Sequence, residues 1–246
     1  MKRKFILFFL ILFLFFSCKH EKNKYIVVAT EPSRPPMVYI DENTKEIIGF
    51  EVDLFNAIAK ISNLKLEYKN VPWDGIFDRL IQDEYDAIIC STTINEERKE
   101  KADFSIPYIN AGQVIITKSD DNSIKNLKDL QGKNIGAQID TTGAYFILKM
   151  DNVTLNNYDE VSYAIDALRN DKIDAVICDY PVASYYVMKS IKYKNVFKIV
   201  TEPFTEEYYG IVVKKGNKKL LSKINSGLSE LINNGTIKKL EKKWLN

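Results

Sequence analysis

The chain has 246 residues, enough for one large domain or two of about 100. Hydrophobic residues make up 46% and charged residues 28%, which excludes a disordered chain, a collagen-like chain and a polytopic membrane protein. Lys+Arg number 35 against Asp+Glu 33, a net charge of +2, so no strong field favours nucleic acid. One histidine, His20, and three cysteines, Cys18, Cys90 and Cys178, exclude a His-based zinc cluster and a disulfide framework.

Met1 to Lys4 is basic, and Phe5 to Phe16 is an unbroken apolar run. A helix of that length spans about 18 Å, short of the roughly 30 Å of a bilayer core. Residues 1–17 therefore read as a secretory signal peptide. Ser17-Cys18 directly after the run resembles a bacterial lipobox, with Phe15 where that motif usually carries Leu. The resemblance implies lipidation of the Cys18 thiol and a polar tether over residues 18–24. The alternative is a plain secretory signal with an incidental cysteine. Cleavage removes Lys2, Arg3 and Lys4, leaves the remainder near neutral and puts His20 in the tether. A Ser-His-Asp triad is then not expected in the folded part. The mature protein is expected to be exported, soluble beyond its tether and held at the membrane by lipid at most.

Tyr25 to Thr30 is a β-branched run that predicts a buried strand, broken by three prolines within Glu31 to Pro36. Gly49 to Leu64 carries Phe50, Leu54, Ala57, Ile58 and Ile61 at helical spacing, and Leu64 to Val71 alternates as a strand. Trp73 to Glu84 predicts an amphipathic helix and Ala87 to Cys90 another strand. Strand, helix, strand, helix, strand implies βαβ units and a parallel sheet. The pattern then restarts. Strands are predicted at Asn134–Ala137, Asn152–Tyr158 and Asp174–Cys178, and helices at Gly143–Met150, Asp159–Asn170 and Pro181–Ser190. Tyr209 to Val213 predicts a late strand. Lys218–Asn233 and Ile237–Leu245 predict closing helices, separated by the helix stop Asn234-Gly235. Two α/β lobes with a cleft between them follow, since ligands bind at strand C-terminal ends.

Several segments point one way. Gly49-Phe50-Glu51-Val52-Asp53-Leu54 opens a helix, and Asp86-Ala87-Ile88-Ile89 ends a strand. Thr93-Ile94-Asn95-Glu96-Glu97-Arg98 and Asp103-Phe104-Ser105-Ile106-Pro107-Tyr108 follow. Asp174-Ala175-Val176-Ile177-Cys178-Asp179 ends the matching strand of the second half. Tyr209-Gly210-Ile211 and the tail from Asn234-Gly235-Thr236 to Lys243-Trp244 complete the series. In this order and spacing, they resemble the extracytoplasmic solute-binding proteins of ABC transporters for polar amino acids, the family 3 type. The resemblance covers Tyr25 to Leu245. It implies an α/β two-lobe periplasmic binding protein fold, each lobe a mostly parallel sheet flanked by helices, with two crossing strands as hinge. The crossings are expected near Ile109–Gly112 and Glu202–Glu206. That assigns residues 25–110 and 206–246 to lobe 1 and 111–205 to lobe 2, with the lobes hinging shut over the ligand.

A free amino acid carries a carboxylate and an ammonium, and burying either without a partner costs several kcal/mol. The resemblance implies that Arg98 takes the α-carboxylate, for which a guanidinium fork is suited; the alternative is a surface ion pair with Glu96, Glu97 or Glu100. It implies that Asp179 accepts from the α-ammonium; the alternative is an ordinary helix N-cap. Ser91 and Thr93 match positions that hold the ligand backbone. Thr141 and Thr142 precede the Gly143 helix, whose N-terminus favours a carboxylate. Trp73 matches an aromatic pocket wall, with core burial as the alternative. Glu31 stands where the family often has an acid reaching the ligand side chain, and Gln138 at a position that varies with ligand. Arg34 stands where many members have a stacking Tyr or Phe. It has three open roles: to stack, to neutralise Glu31, or to receive an acidic side chain. Asp140 replaces a common Gly. Glu31 and Asp140 hint at a cationic ligand and Arg34 argues against one, so cationic and neutral polar amino acids both stay open. Cys90, counted among the cleft candidates by its place, and Cys178 end strands in opposite lobes and read as small buried thiols.

The expected function is binding of an amino acid and delivery to a membrane permease, by a monomer with no cofactor, no metal and no nucleic-acid partner. The alternatives are an enzyme on the same fold, akin to dehydratases of cyclic amino acids, and a surface sensor or adhesion lipoprotein. Catalysis would need Glu31, Asp140 or Asp179 as general acid, since histidine is absent from the folded part.

Overall fold

The computed structural model describes residues 25–246. The expected signal peptide, Cys18, His20 and the tether lie outside the described residues. The first strand, β1 (Ile26–Thr30), ends in three buried residues. The proline-rich stretch after it is a small antiparallel sheet of β2 (Ser33–Arg34), β3 (Val38–Ile40) and β4 (Ile47–Ile48). Helix α1 (Phe50–Ile61) starts at Gly49, whose φ is 136°. A Cβ there would lie 2.3 Å from the Met37 carbonyl oxygen, so only glycine brings the helix start this close to β3. The helix buries Phe50, Leu54, Phe55 and Ile58, the spacing of one helical face.

The first half continues through β5 (Leu66–Asn70), α2 (Ile76–Ile81), β6 (Ala87–Ile88), α3 (Glu96–Lys101), β7 (Ala102–Phe104) and β8 (Ile109–Asn110). The second runs through β9 (Gln113–Lys118), β10 (Asn134–Gln138), α4 (Thr142–Leu148), β11 (Thr154–Tyr158), α5 (Val161–Arg169), β12 (Ala175–Asp179), α6 (Tyr180–Ser184) and β13 (Phe197–Ile199). Then come β14 (Tyr208–Tyr209), β15 (Val212–Lys214), α7 (Lys218–Asn233) and α8 (Thr236–Trp244).

Two five-stranded sheets result, ordered β5-β1-β6-β15-β7 and β11-β10-β12-β9-β13. In the first, β1 runs parallel to β5 and β6, and β15 is antiparallel to β6 and β7, so only β15 is reversed. In the second, only β9 is reversed. Each sheet is therefore mostly parallel, as expected for βαβ units. Helices α7 and α8 return from the end of the chain to pack on α1. Between the sheets, β8 pairs antiparallel with β14. Close by, a Cβ on Gly112 would lie 2.1 Å from the Thr205 carbonyl oxygen, so glycine lets the two connecting segments touch.

Some elements differ from the sequence expectation. The second helix starts at Ile76 rather than Trp73, because Gly75 before it is left-handed, φ 69°. The helix expected over Pro181–Ser190 splits into α6 and a π turn, Tyr185–Lys189. The late strand expected over Tyr209–Val213 is two strands, β14 in the connection and β15 in the first sheet.

Candidate ligand-binding site

Arg98 is positioned by a helix cap. The Asn95 side chain accepts from the Arg98 amide at 2.8 Å and opens α3. The Arg98 side chain turns inward and the residue is 8% exposed. Its guanidinium donates to the carbonyls of Thr93 and Asp140, both at 3.1 Å. A solvated ion pair with the neighbouring glutamates therefore does not describe it. Burial and the nearby charge of Arg34 lower its pKa below the usual arginine value.

Asp179 is the last residue of β12 and the N-cap of α6, but its side chain makes no capping hydrogen bond. Instead Gln113 of β9 donates its amide to the Asp179 carboxylate. Burial and the charge of Glu207 push the Asp179 carboxyl up to about 6, against the lowering effect of Tyr209, Arg34 and Gln113. Gln113 also donates to the Thr142 hydroxyl at 3.2 Å. That hydroxyl donates to Glu207 at 2.6 Å, and the same carboxylate oxygen accepts from the Thr93 hydroxyl at 2.9 Å. Glu207, beside β14, thus ties a loop of the first sheet to α4 of the second. Thr141 caps α4, accepting from the Ala144 amide at 3.3 Å, and donates to the Gln138 carbonyl at 2.7 Å.

A second cluster lies beside these groups. Arg34 is 4% exposed and donates from Nε to Gln138 at 3.1 Å and from Nη1 to the Cys90 carbonyl at 2.9 Å. Its Nη2 pairs with Glu31 at 3.0 Å. Gln138 donates to both Glu31 oxygens, at 2.9 and 3.0 Å. Burial raises the Glu31 pKa against the charge of Arg34. The Arg34 guanidinium lies 4.4 Å from the centre of the Trp73 ring and that of Arg98 5.2 Å from it, within cation–π range. Trp73 is 4% exposed, packs in the core, and donates from Nε1 to the Asp140 carbonyl at 3.3 Å. It is a core residue that also lines a cavity together with Arg98 and Asp140. The Asp140 carboxylate is exposed and accepts from the Tyr145 hydroxyl at 3.1 Å.

Ser91 sits in the left-handed region, φ 47°. Its amide donates to the buried Glu51 carboxylate at 2.6 Å, and Tyr108 donates to the same oxygen. Burial pushes the Glu51 carboxyl up to about 7. Cys90 and Cys178 are free thiols. Cys90 accepts from the Glu31 amide at 3.3 Å, and burial pushes its thiol up to about 12, so it is inert as a nucleophile. Arg34, Gln113, Gln138, Thr141, Cys178 and Asp179 line one cavity of about 20 Å³. Among the described residues no group of side chains has the make-up of a metal site, and no helix is long and apolar enough to cross a membrane.

The candidate residues are neighbours but line separate cavities: Arg98, Trp73 and Asp140 border one of about 130 Å³, and Arg34, Gln138, Thr141 and Asp179 the smaller one. Sequence reasoning missed Gln113 and Glu207. A glutamine at the head of the apolar run Val114–Thr117 was the available signal for the first.

Residues 26–246 match the family described as bacterial extracellular solute-binding proteins, family 3. The chain belongs to this family. It is 30% identical over 228 residues to the L-cystine-binding protein TcyJ of Escherichia coli K12, covering 92% of this chain and 84% of that one. It is 32% identical over 238 residues to ABC transporter arginine-binding protein 1 of the same strain, covering 94% of each. Among solved structures it is similar to an ancestral arginine-binding protein bound to arginine, with a TM-score of 0.85 and 40% identity over 90% of this chain and 98% of that one. The arginine-, lysine-, histidine-binding protein ArtJ of Geobacillus stearothermophilus aligns at a TM-score of 0.81 and 36% identity, covering 90% of this chain and 95% of that one. The fold of this family member is the two-lobe α/β binding-protein fold of those structures.

Proposed function

We propose that this protein binds a free amino acid between its two lobes and delivers it to the permease of an ABC transporter. One observation supports the reading: Arg98 is buried, Asp179 half-buried, and the two are near enough for the Asp179 charge to act on the Arg98 guanidinium, a cation and an anion for the two charges of an amino acid backbone. Arg98 takes the α-carboxylate and Asp179 the α-ammonium. Ser91, Thr93, Thr141 and Thr142 complete the backbone contacts. Trp73, Glu31, Arg34, Cys90 and Gln138 surround the side chain. The relatives named above bind cystine or arginine, and they are binding proteins rather than enzymes.

The lobes are residues 25–110 with 206–246, and 111–205. The cavity at Asp179, about 20 Å³, has room for about one water, so the ligand enters by opening of the lobes about the β8–β14 connection. A ligand held by both lobes prefers the closed state, which gives a permease a signal to read. The protein acts as a monomer outside the cytoplasm, with Cys18 as its lipid anchor.

The test is thermal unfolding of the protein with each of the twenty common amino acids and cystine. At 100 times Kd a ligand adds about 2.7 kcal/mol, roughly 5–10 °C for a chain of this size. Stabilisation by one or a few amino acids is expected, together with loss of their uptake by cells that lack the gene. Silence across the panel, from a sample free of carried-over ligand, contradicts the reading.

A further inference from the structure

We propose that Arg34 makes the cleft select an amino acid whose side chain ends in a carboxamide or carboxylate oxygen, and reject one that ends in a cation. The inference rests on the amino-acid-binding reading above and names its ligand class.

Of the acids in this region, Glu31 and Asp140 are the two that the sequence offers to a cationic side chain, and each already has a partner, while Asp74, Asp78 and Glu97 line the cavity at Arg98 and not the one at Asp179. Glu31 is 5% exposed and holds Arg34 and Gln138. The Asp140 carboxylate is exposed and bonded to Tyr145. The Trp73 ring, a surface on which a cation would stack, already has the Arg34 guanidinium 4.4 Å from its centre. A basic side chain that captured Glu31 would strip a buried guanidinium of its counter-charge and place a like charge beside it. Asp74, Asp159 and Glu160 do flank Glu31, but in a groove that neither Arg34 nor Asp179 lines.

Arg34 offers the opposite chemistry. Its Nη2 is buried, ion-paired with Glu31 at 3.0 Å, and makes no hydrogen bond. Arg34 and Asp179 line the same cavity, which puts the guanidinium beside the group that meets the ligand's ammonium. An oxygen acceptor satisfies a buried guanidinium N–H, which a cation or a hydrocarbon leaves unmet.

The test is calorimetric titration of the whole protein with L-glutamine, L-glutamate, L-arginine, L-lysine and L-leucine. Glutamine or glutamate is expected to bind at least about tenfold more tightly than arginine, lysine and leucine. Arginine, lysine or leucine as the tightest ligand overturns the selectivity and leaves amino-acid binding standing. Absence of binding by any amino acid overturns both. A second measurement uses Arg34→Tyr, which removes the counter-charge of Glu31 and leaves it bonded to Gln138: the ratio of arginine to glutamine affinity is expected to rise at least about tenfold. A folded variant with an unchanged ratio overturns the role of Arg34, and if the variant does not fold, the wild-type ranking decides alone.

Discussion

Replacing Arg98 by alanine removes the only cation assigned to the ligand's α-carboxylate. The side chain is buried and fixed by the carbonyls of Thr93 and Asp140. Those two bonds leave other N–H groups of the guanidinium fork for a carboxylate. Leaving a desolvated carboxylate unpaired costs about 2–5 kcal/mol, roughly 30- to 4,000-fold in Kd. The variant also loses the 3.1 Å bond to the Asp140 carbonyl, which on the proposed lobe division runs between the two lobes. A hydrogen bond from a charged donor contributes about 1.5–3 kcal/mol, so closure weakens as well and the loss falls in the upper part of the range. Arg98→Lys keeps the charge but not the planar fork and should fall between wild type and Arg98→Ala. The assay is calorimetric titration of all three proteins with one ligand, alongside their melting temperatures. A loss below about threefold in Arg98→Ala, with melting unchanged, refutes the assignment.

Asp179→Asn should weaken binding at least about tenfold without lowering the melting temperature, because the Asp179 side chain makes no capping bond and the asparagine oxygen can still accept from Gln113; intact affinity with reduced melting contradicts the role. The Asp179 carboxyl sits at about 6 in the folded protein, above its unfolded value of about 3.9, so its contribution to stability is full at low pH and is lost as pH rises through 6. Ligand affinity runs the other way, because protonation removes the charge that meets the ammonium. Affinity should fall as pH drops from 7.5 to 5 in wild type and stay nearly flat in Asp179→Asn, and parallel profiles contradict this. Glu51→Leu leaves the Ser91 amide and Tyr108 hydroxyl without their buried acceptor and should cost at least about 1–3 kcal/mol in urea unfolding; a neutral result removes Glu51 from the account of the fold. Glu207→Ala unties the Thr93 and Thr142 hydroxyls. It should enlarge the radius of gyration of the unliganded protein in small-angle scattering, and an unchanged value refutes a role in closure.

The legible parts of the fold were those with a long period or a strong stop. The helices α1 and α7 repeat their apolar residues along one face, and Asn234-Gly235 separates α7 from α8. The sheet β2–β4 was hidden because its strands are two or three residues long, too short to show alternation, and lie among prolines. The reversed strand β9 is an apolar run without a partner nearby in sequence; its neighbours β12 and β13 come some 60 to 80 residues later. At the candidate site, the order of motifs singled out Arg98 and Asp179 as candidates, and the structure buries the first and half-buries the second. The role of Arg34 stayed open among three chemistries, and its place over Trp73 and beside Glu31 is a tertiary fact. Glu207 was invisible for the same reason: in Thr205-Glu206-Glu207-Tyr208 nothing local distinguishes the exposed acid from the buried one that holds Thr93 and Thr142.

The central claim is tested most directly by a crystal structure of the protein with the amino acid that stabilises it most. The account predicts one amino acid between the lobes, its α-carboxylate within hydrogen-bond distance of the Arg98 guanidinium and its ammonium against Asp179. A ligand lodged elsewhere, or a backbone held by residues other than these two, would contradict it.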